Sequence, residues 1–227
     1  MIQHRTIDSY EFGFSVNLTE SQLRLLKDLF HGSDAAGVAV LGGRTAVTPA
    51  RLEGIGAVVI KHYRRGGLLR HLNKRRYLKF GRSRAQREFE LLNIVAELNV
   101  NVPQPIAFAC CGRLLYEAWL ITRAIPQPVS LALLSRQDAE KTSRAMESVI
   151  NQISALIQNR ILHHDLHPGN VIVDTAGKVY LLDFDKGRFY HGSRLRLKKR
   201  YLARWQRAVN KHGLPQFLTE MLQTGLN

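Results

Sequence analysis

Apolar residues between positions 37 and 63 fall in short runs bounded by glycine, a pattern of strands rather than helices. Gly37 to Leu41 reads as one strand and Gly42-Gly43 as a turn, followed by Arg44 to Leu52 and Ala57 to Tyr63 around Gly54-Ile55-Gly56. Pro49 cannot donate to a ladder, so its strand belongs at an edge or carries a bulge. From Ser83 to Asn99 the period changes: Ala85, Phe89, Leu92 and Ala96 recur at helical spacing among Glu88, Glu90 and Glu97. Pro103 and Pro105 break that helix, and Ile106 to Cys110 and Leu114 to Thr122 complete five strands.

The second half is patterned differently. A helix is predicted from Ser135, with Asp138 as the acidic partner of a capping box and a core stripe through Met146, Val149, Ile153 and Leu156. A hairpin follows, from Val171 to Val173 and Val179 to Leu182, and then a basic helix from Arg194 to Lys211. Strands with one helix, then mainly helices, predict an α+β protein of two lobes, residues 1–122 and 123–227.

Charge narrows the candidate partners. Of 227 residues, 33 are Lys or Arg and 18 are Asp or Glu, a formal net charge of +15. Residues 54–87 and 186–219 contain no acid yet carry eleven and ten cations, so each block attracts polyanions, whether nucleic acid, a phosphorylated glycolipid or an anionic membrane surface, and charge alone does not choose among them. No apolar stretch approaches the roughly 18 to 20 residues of a membrane span, and the N-terminus lacks a signal-peptide layout. A cytoplasmic, non-spanning protein is expected. Cys110 and Cys111 are adjacent, poorly placed to pair and without zinc-ligand spacing, which points to reduced thiols.

The chemistry is concentrated in His163-His164-Asp165-Leu166-His167-Pro168-Gly169-Asn170, followed by Asp183-Phe184-Asp185. Phosphoryl transfer from ATP requires a group that accepts the proton of the attacking hydroxyl, oxygen ligands for Mg²⁺, and cations against the triphosphate. Asp165 fits the first role, Asn170 and Asp183 the second, at the spacing of the protein-kinase-like fold. Lys61 ends the apolar run Ala57-Val58-Val59-Ile60, the strand context of a phosphate-binding lysine, and Glu88 on the next helix is its expected partner, with Glu90 as the fallback. No G-x-G-x-x-G occurs, so Gly42 and Gly43 are candidates for the nucleotide loop, an ordinary hairpin turn being the alternative. Backbone groups from Thr122 to Ile125 are candidates for holding adenine at a hinge.

With Lys61-His62-Tyr63-Arg64-Arg65-Gly66-Gly67-Leu68, Arg87-Glu88-Phe89, Val102-Pro103-Gln104-Pro105 and Leu182-Asp183-Phe184-Asp185-Lys186-Gly187-Arg188, the chain from about Gly42 to Lys211 resembles the bacterial lipopolysaccharide kinases. It is most similar to those that act on 3-deoxy-D-manno-octulosonic acid (Kdo). The resemblance implies a five-stranded antiparallel N-lobe sheet with one helix, a mainly helical C-lobe, and transfer of the γ-phosphate of ATP to a hydroxyl, expected to be the 4-hydroxyl, of Kdo on a lipid A precursor. It implies Asp165 as base, Asn170 and Asp183 as Mg²⁺ ligands, and Lys61 paired with Glu88. It also implies a peripheral location on the cytoplasmic face of the inner membrane, with no nucleic-acid partner. Arg64 and Arg65 are candidates for contacting the anionic acceptor.

His164 stands where protein kinases have arginine, Asp185 where they have glycine, and no Ala-Pro-Glu follows, which together predict activity without a phosphorylation switch. Two alternatives stay open. One is another small-substrate kinase, acting on a lipopolysaccharide heptose or an antibiotic; the other is an inactive basic protein that binds nucleotide or nucleic acid.

Overall fold

The computed structural model describes residues 2–30, 47–63, 77–78, 81–112 and 115–226. Gly42, Gly43, Arg64, Arg65 and the strand expected over 37–41 lie outside the described residues. The chain divides into two compact units, one of Met1–Glu90 with Gln104–Ala124, the other of Leu91–Pro103 with Ile125–Asn227.

The first unit contains β1 (Gln3–Ile7), β2 (Tyr10–Phe14), α1 (Glu20–Leu29), β3 (Val47–Leu52), β4 (Gly56–His62), β5 (Tyr77–Leu78), β6 (Pro105–Cys111), β7 (Leu115–Arg123) and the first half of α2 (Arg84–Glu97). Its sheet runs β1-β2-β6-β7-β4-β3, with the two-residue β5 also pairing with β7. Every pairing is antiparallel. Among the described residues, six strands rather than five lie on the main path, because four of the expected strands are joined by β1 and β2 of an N-terminal hairpin. The chain reverses at Asp8, whose left-handed φ of 52° suits a tight turn and is tolerated by a short polar side chain. Pro49 lies on β3, the strand at the end of the path.

A second helix also enters this unit. Thr19 caps α1 in a reciprocal box with Gln22, and Leu23 and Leu26 are buried on its inner face. An aromatic stack then closes the core: Phe30 lies on Trp119 with ring centroids 4.4 Å apart at 10°, and Tyr10 packs 5.7 Å from the same indole. The hairpin strand β2 supplies Tyr10, Phe12 and Phe14 to this core. β6 and β7 are buried along most of their length, and so read as apolar runs without strict alternation.

The second unit contains β8 (Val129–Ser130), α3 (Leu131–Gln137), α4 (Ala139–Gln158), β9 (Ile161–Leu162), a 3₁₀ turn (Pro168–Asn170), β10 (Val171–Val173), β11 (Val179–Leu181), β12 (Arg188–Phe189), α5 (Arg194–Lys211) and α6 (Phe217–Gly225). The single helix predicted from Ser135 is two helices. Ser130 caps α3, Ser135 returns its hydroxyl to the Ala132 carbonyl, and Asp138 is itself the N-cap of α4 through the Lys141 amide. At Asp138 the backbone is extended (φ −149°), which interrupts the helix and lets the acid cap the next one. The described residues thus form a mixed α/β protein with six α-helices and antiparallel sheets, consistent with a kinase-like fold.

Gly13 shows how tightly the sheet is covered. An added Cβ there would lie 2.2 Å from the ring of Phe108, its register partner on β6, and that ring is only 3% exposed. Gly13→Ala is therefore expected to destabilise the protein by about 1–3 kcal/mol, measured by denaturant unfolding. An unchanged midpoint would show that the ring can move aside.

Candidate functional site

The second unit builds a loop pair from its short strands. β9 leads into residues 163–167, the 3₁₀ turn follows, and the β10–β11 hairpin returns the chain to residues 182–187, after which β12 pairs back onto β9. Two loops distant in sequence are thereby anchored side by side. The Leu182 amide donates to the Asn170 carbonyl at 2.8 Å, and the Asn170 side-chain amide donates to the Asp165 carbonyl at 2.9 Å. The structure thus links Asp165, Asn170 and the segment bearing Asp183 through consecutive hydrogen bonds.

His163 ties these segments from beneath. It is 2% exposed, its Nδ1 accepts the Asp165 amide at 3.3 Å, and its Nε2 lies 2.8 Å from the Leu182 carbonyl. An Nδ1 that accepts and an Nε2 that faces a carbonyl define the neutral Nε2–H tautomer. Phe184 packs against the same ring at 4.4 Å, edge to face. Burial pushes the imidazole down to about 4 from its ordinary 6.5. His167 follows the same logic one turn on. Its Nδ1 accepts the Gly169 amide at 3.0 Å, capping the 3₁₀ turn, and burial also lowers its pKa.

Asp183 adopts a left-handed φ of 65°, a conformation that side chains other than glycine seldom take and that concentrates at functional sites. Gly187 ends the segment against Leu91 and the Phe184 carbonyl, where a Cβ would meet atoms at 2.5 and 2.9 Å. With the Asn170 nitrogen donating to the Asp165 carbonyl, its side-chain oxygen is the acceptor that the amide still offers. An amide oxygen and a carboxylate form a hard oxygen donor set, which suits Mg²⁺.

The first unit holds the other candidates. Lys61 on β4 reaches Glu88 on α2, its ammonium 3.1 Å from Oε1 and 3.0 Å from Oε2, with the carboxylate 3% exposed. The Tyr63 hydroxyl donates to the same carboxylate, and the Lys61 ammonium lies 5.1 Å from the Tyr63 ring centroid. Glu90, the fallback, instead meets Arg82 and Gln86 at 2.8 and 3.0 Å. Two positions on a helix turn the side chain to another face. Thr122 sits near the end of β7, paired with Val59, and Ile125 begins the next segment of the second unit.

Three participants escaped the sequence reading. Tyr63 was recoverable, since i and i+2 on a strand share a face and Lys61 was already identified. Tyr201 and Arg204 on α5 were not. The Tyr201 hydroxyl accepts the His163 amide and donates to the Ile161 carbonyl, both at 2.8 Å, which fastens α5 to the loop. Burial raises the Tyr201 pKa, so the hydroxyl stays protonated. Three residues on, Arg204 donates to Asp165 Oδ1.

The neutral His163 makes stability depend on pH. Between pH 6.5 and 4 the unfolded chain takes up a proton that the folded chain refuses, so stability falls as pH drops through that window. The wild type is expected to lose about 3 kcal/mol more than His163→Gln across it, read from denaturant melts at stepped pH. Parallel pH profiles would remove the buried imidazole as the cause.

Residues 42–223 match the lipopolysaccharide kinase (Kdo/WaaP) family. Similar proteins include 3-deoxy-D-manno-octulosonic acid kinases of Xylella fastidiosa strain M12, 32% identical over 160 residues (69% of this chain, 63% of the relative), and of Vibrio parahaemolyticus, 36% over 157 residues (67% and 64%). The kinase of that name from Vibrio cholerae is 33% identical over 130 residues, 56% of this chain and 55% of the relative. The matched segments thus span somewhat less than two thirds of the length of these relatives. On a match that covers most of its residues, this chain belongs to the lipopolysaccharide kinase (Kdo/WaaP) family.

Proposed function

We propose that this chain transfers the γ-phosphate of ATP to a Kdo hydroxyl, the 4-hydroxyl, on a lipid A precursor, using a two-lobed protein-kinase-like fold divided near residues 122 and 123. The observation that carries this reading is the hydrogen-bonded frame in which Asp165, Asn170 and the Asp183 segment are held by neutral His163. The relatives named as Kdo kinases support the choice of acceptor.

In this reading the acceptor hydroxyl is held beside Asp165, whose carboxylate takes the proton as oxygen attacks the γ-phosphorus. One P–O bond forms, the bond to the bridging oxygen breaks, and ADP departs. Asn170 and Asp183 hold Mg²⁺, which supplies charge neutralisation at the phosphates when bound. Lys61 contributes a cation for phosphate oxygens, and Glu88 with Tyr63 fixes its direction. A rigid donor is worth more than a wandering one, because it needs no reorganisation as charge develops. Gly42 and Gly43 are assigned to the nucleotide loop, Thr122 to Ile125 to adenine, and Arg64 and Arg65 to the acceptor.

The test supplies labelled ATP and Mg²⁺ with Kdo-lipid A precursor, heptosylated core and a generic protein. Label on the Kdo acceptor is expected, and label only on protein, only on heptose or on none would sink the assignment. Asp165→Ala is expected to bind ATP normally while turnover falls at least about 10² to 10⁴-fold. Near-normal turnover would remove Asp165 from the base role.

We further place the protein peripherally on the cytoplasmic face of the inner membrane, since its acceptor is a lipid and its charge is strongly positive; no helix among the described residues is long and apolar enough to cross a membrane. Sedimentation with anionic liposomes should weaken steeply as salt is added. Salt-insensitive binding would indicate apolar docking instead.

A further inference from the structure

α5 brings its cations to a defined place. Leu197, Tyr201, Trp205 and Ala208 form its buried stripe, and Tyr201 locks the helix register to the loop after β9. Arg200, Arg204 and Arg207, at i, i+4 and i+7, then fall on one adjoining face. That face lines a cavity of about 590 Å³, within the second unit, whose walls include Asp165, Lys186, Lys199, Arg200, Arg204 and Arg207. Asp165 is the one acid among its lining residues, against five cations.

We propose that this cavity is the acceptor-recognition site, in which the α5 arginines take an oxyanion, carboxylate or phosphate, of the acceptor glycolipid; the assignment rests on the acceptor proposed above. Size favours it, since pockets for small ligands run from about 300 to 1,000 Å³, room for a sugar and its substituents but not for a whole glycolipid. Shape favours it over simple adhesion to a membrane. A lipid surface needs only a flat basic face, whereas these cations converge on a concavity that has the proposed base in its wall. Guanidinium groups match carboxylate and phosphate in planar, two-point fashion, and holding five cations together against a single carboxylate is unfavourable.

The Arg204–Asp165 contact gives the site a second property. Arg204 engages the carboxylate proposed to receive the proton. An acceptor oxyanion competes for the same guanidinium, so binding of the correct substrate draws Arg204 off the base. Arg204 is thus a positioning residue as well as an anchor.

The test uses the double variant Arg200→Gln/Arg207→Gln, both positions being exposed. Its KM for Kdo-lipid A precursor should rise about 10- to 100-fold, the loss of charge-assisted contacts, while its KM for ATP stays unchanged. Two acceptor analogues, one with the Kdo carboxylate reduced to an alcohol and one with the lipid A phosphates removed, identify the group held. The analogue on which wild type and variant behave alike lacks that group. An acceptor KM unaltered by the double substitution, in an enzyme whose wild type labels Kdo, overturns this inference and leaves the proposed activity standing.

Should the wild type label no Kdo, the proposed activity falls, and the cavity is judged by binding alone. Free Kdo and inorganic phosphate are titrated while the arginine Nε–H signals are followed by NMR. Saturable shifts of Arg200, Arg204 and Arg207 with either anion support an oxyanion site, and no shift with either overturns it.

Discussion

Everything in the second unit's candidate site depends on one buried imidazole remaining neutral. His163 offers Nδ1 to the amide of Asp165 and Nε2–H to the carbonyl of Leu182, and its own amide binds the Tyr201 hydroxyl. A protonated ring would lose the acceptor half of this arrangement and place a charge in the core whose burial cost outweighs the attraction of Asp165 and Asp183. Burial prevents that at neutral pH, so the loop bearing Asp165, the segment before Asp183 and helix α5 are located by one residue. The Lys61–Glu88 pair has its own, separate support in the first unit, where the Tyr63 hydroxyl donates to the same Glu88 Oε2 that the Lys61 ammonium meets.

The parts of the fold that were legible in sequence had strong local signals. The basic helix from Arg194 to Lys211 has the limits expected of it, because Ser193 caps it and an unbroken apolar stripe runs through it. Likewise, Lys61 and Glu88 meet because a strand end and a helix face each fix a direction. The N-terminal hairpin was legible only in its second strand. β1 is exposed along all but its last residue, so it carries no alternation to detect, whereas β2 does alternate, with Tyr10, Phe12 and Phe14 on the core face, but was too short to stand out without a patterned partner. The boundary at Ser135 failed for another reason. Ser-x-x-Asp satisfies the box pattern, but the same acid can cap a helix of its own, and tertiary packing decides between the two.

Charge shows the same division between what composition reveals and what needs geometry. The acid-free block around α5 is visible in composition, but where its cations lie is not. The register held by Tyr201 sets Arg200, Arg204 and Arg207 in the wall of a cavity that Asp165 also lines. Departures from the protein-kinase pattern fall in the same neighbourhood. His164 and Arg204 both line the cavity, and the helix that supplies Arg204 has no counterpart in the motif by which the loop was recognised. Two residues outside the protein-kinase pattern, His164 and Arg204, therefore sit beside Asp165 in the wall of one cavity.

The most direct measurement is phosphorus NMR of the purified glycolipid after incubation of Kdo-lipid A precursor with ATP, Mg²⁺ and either the wild-type protein or Asp165→Ala. The wild type is expected to produce a new phosphomonoester resonance coupled to a Kdo ring proton, and the variant to produce none under the same conditions. A wild-type product without that resonance, or an equal yield from the variant, would contradict it.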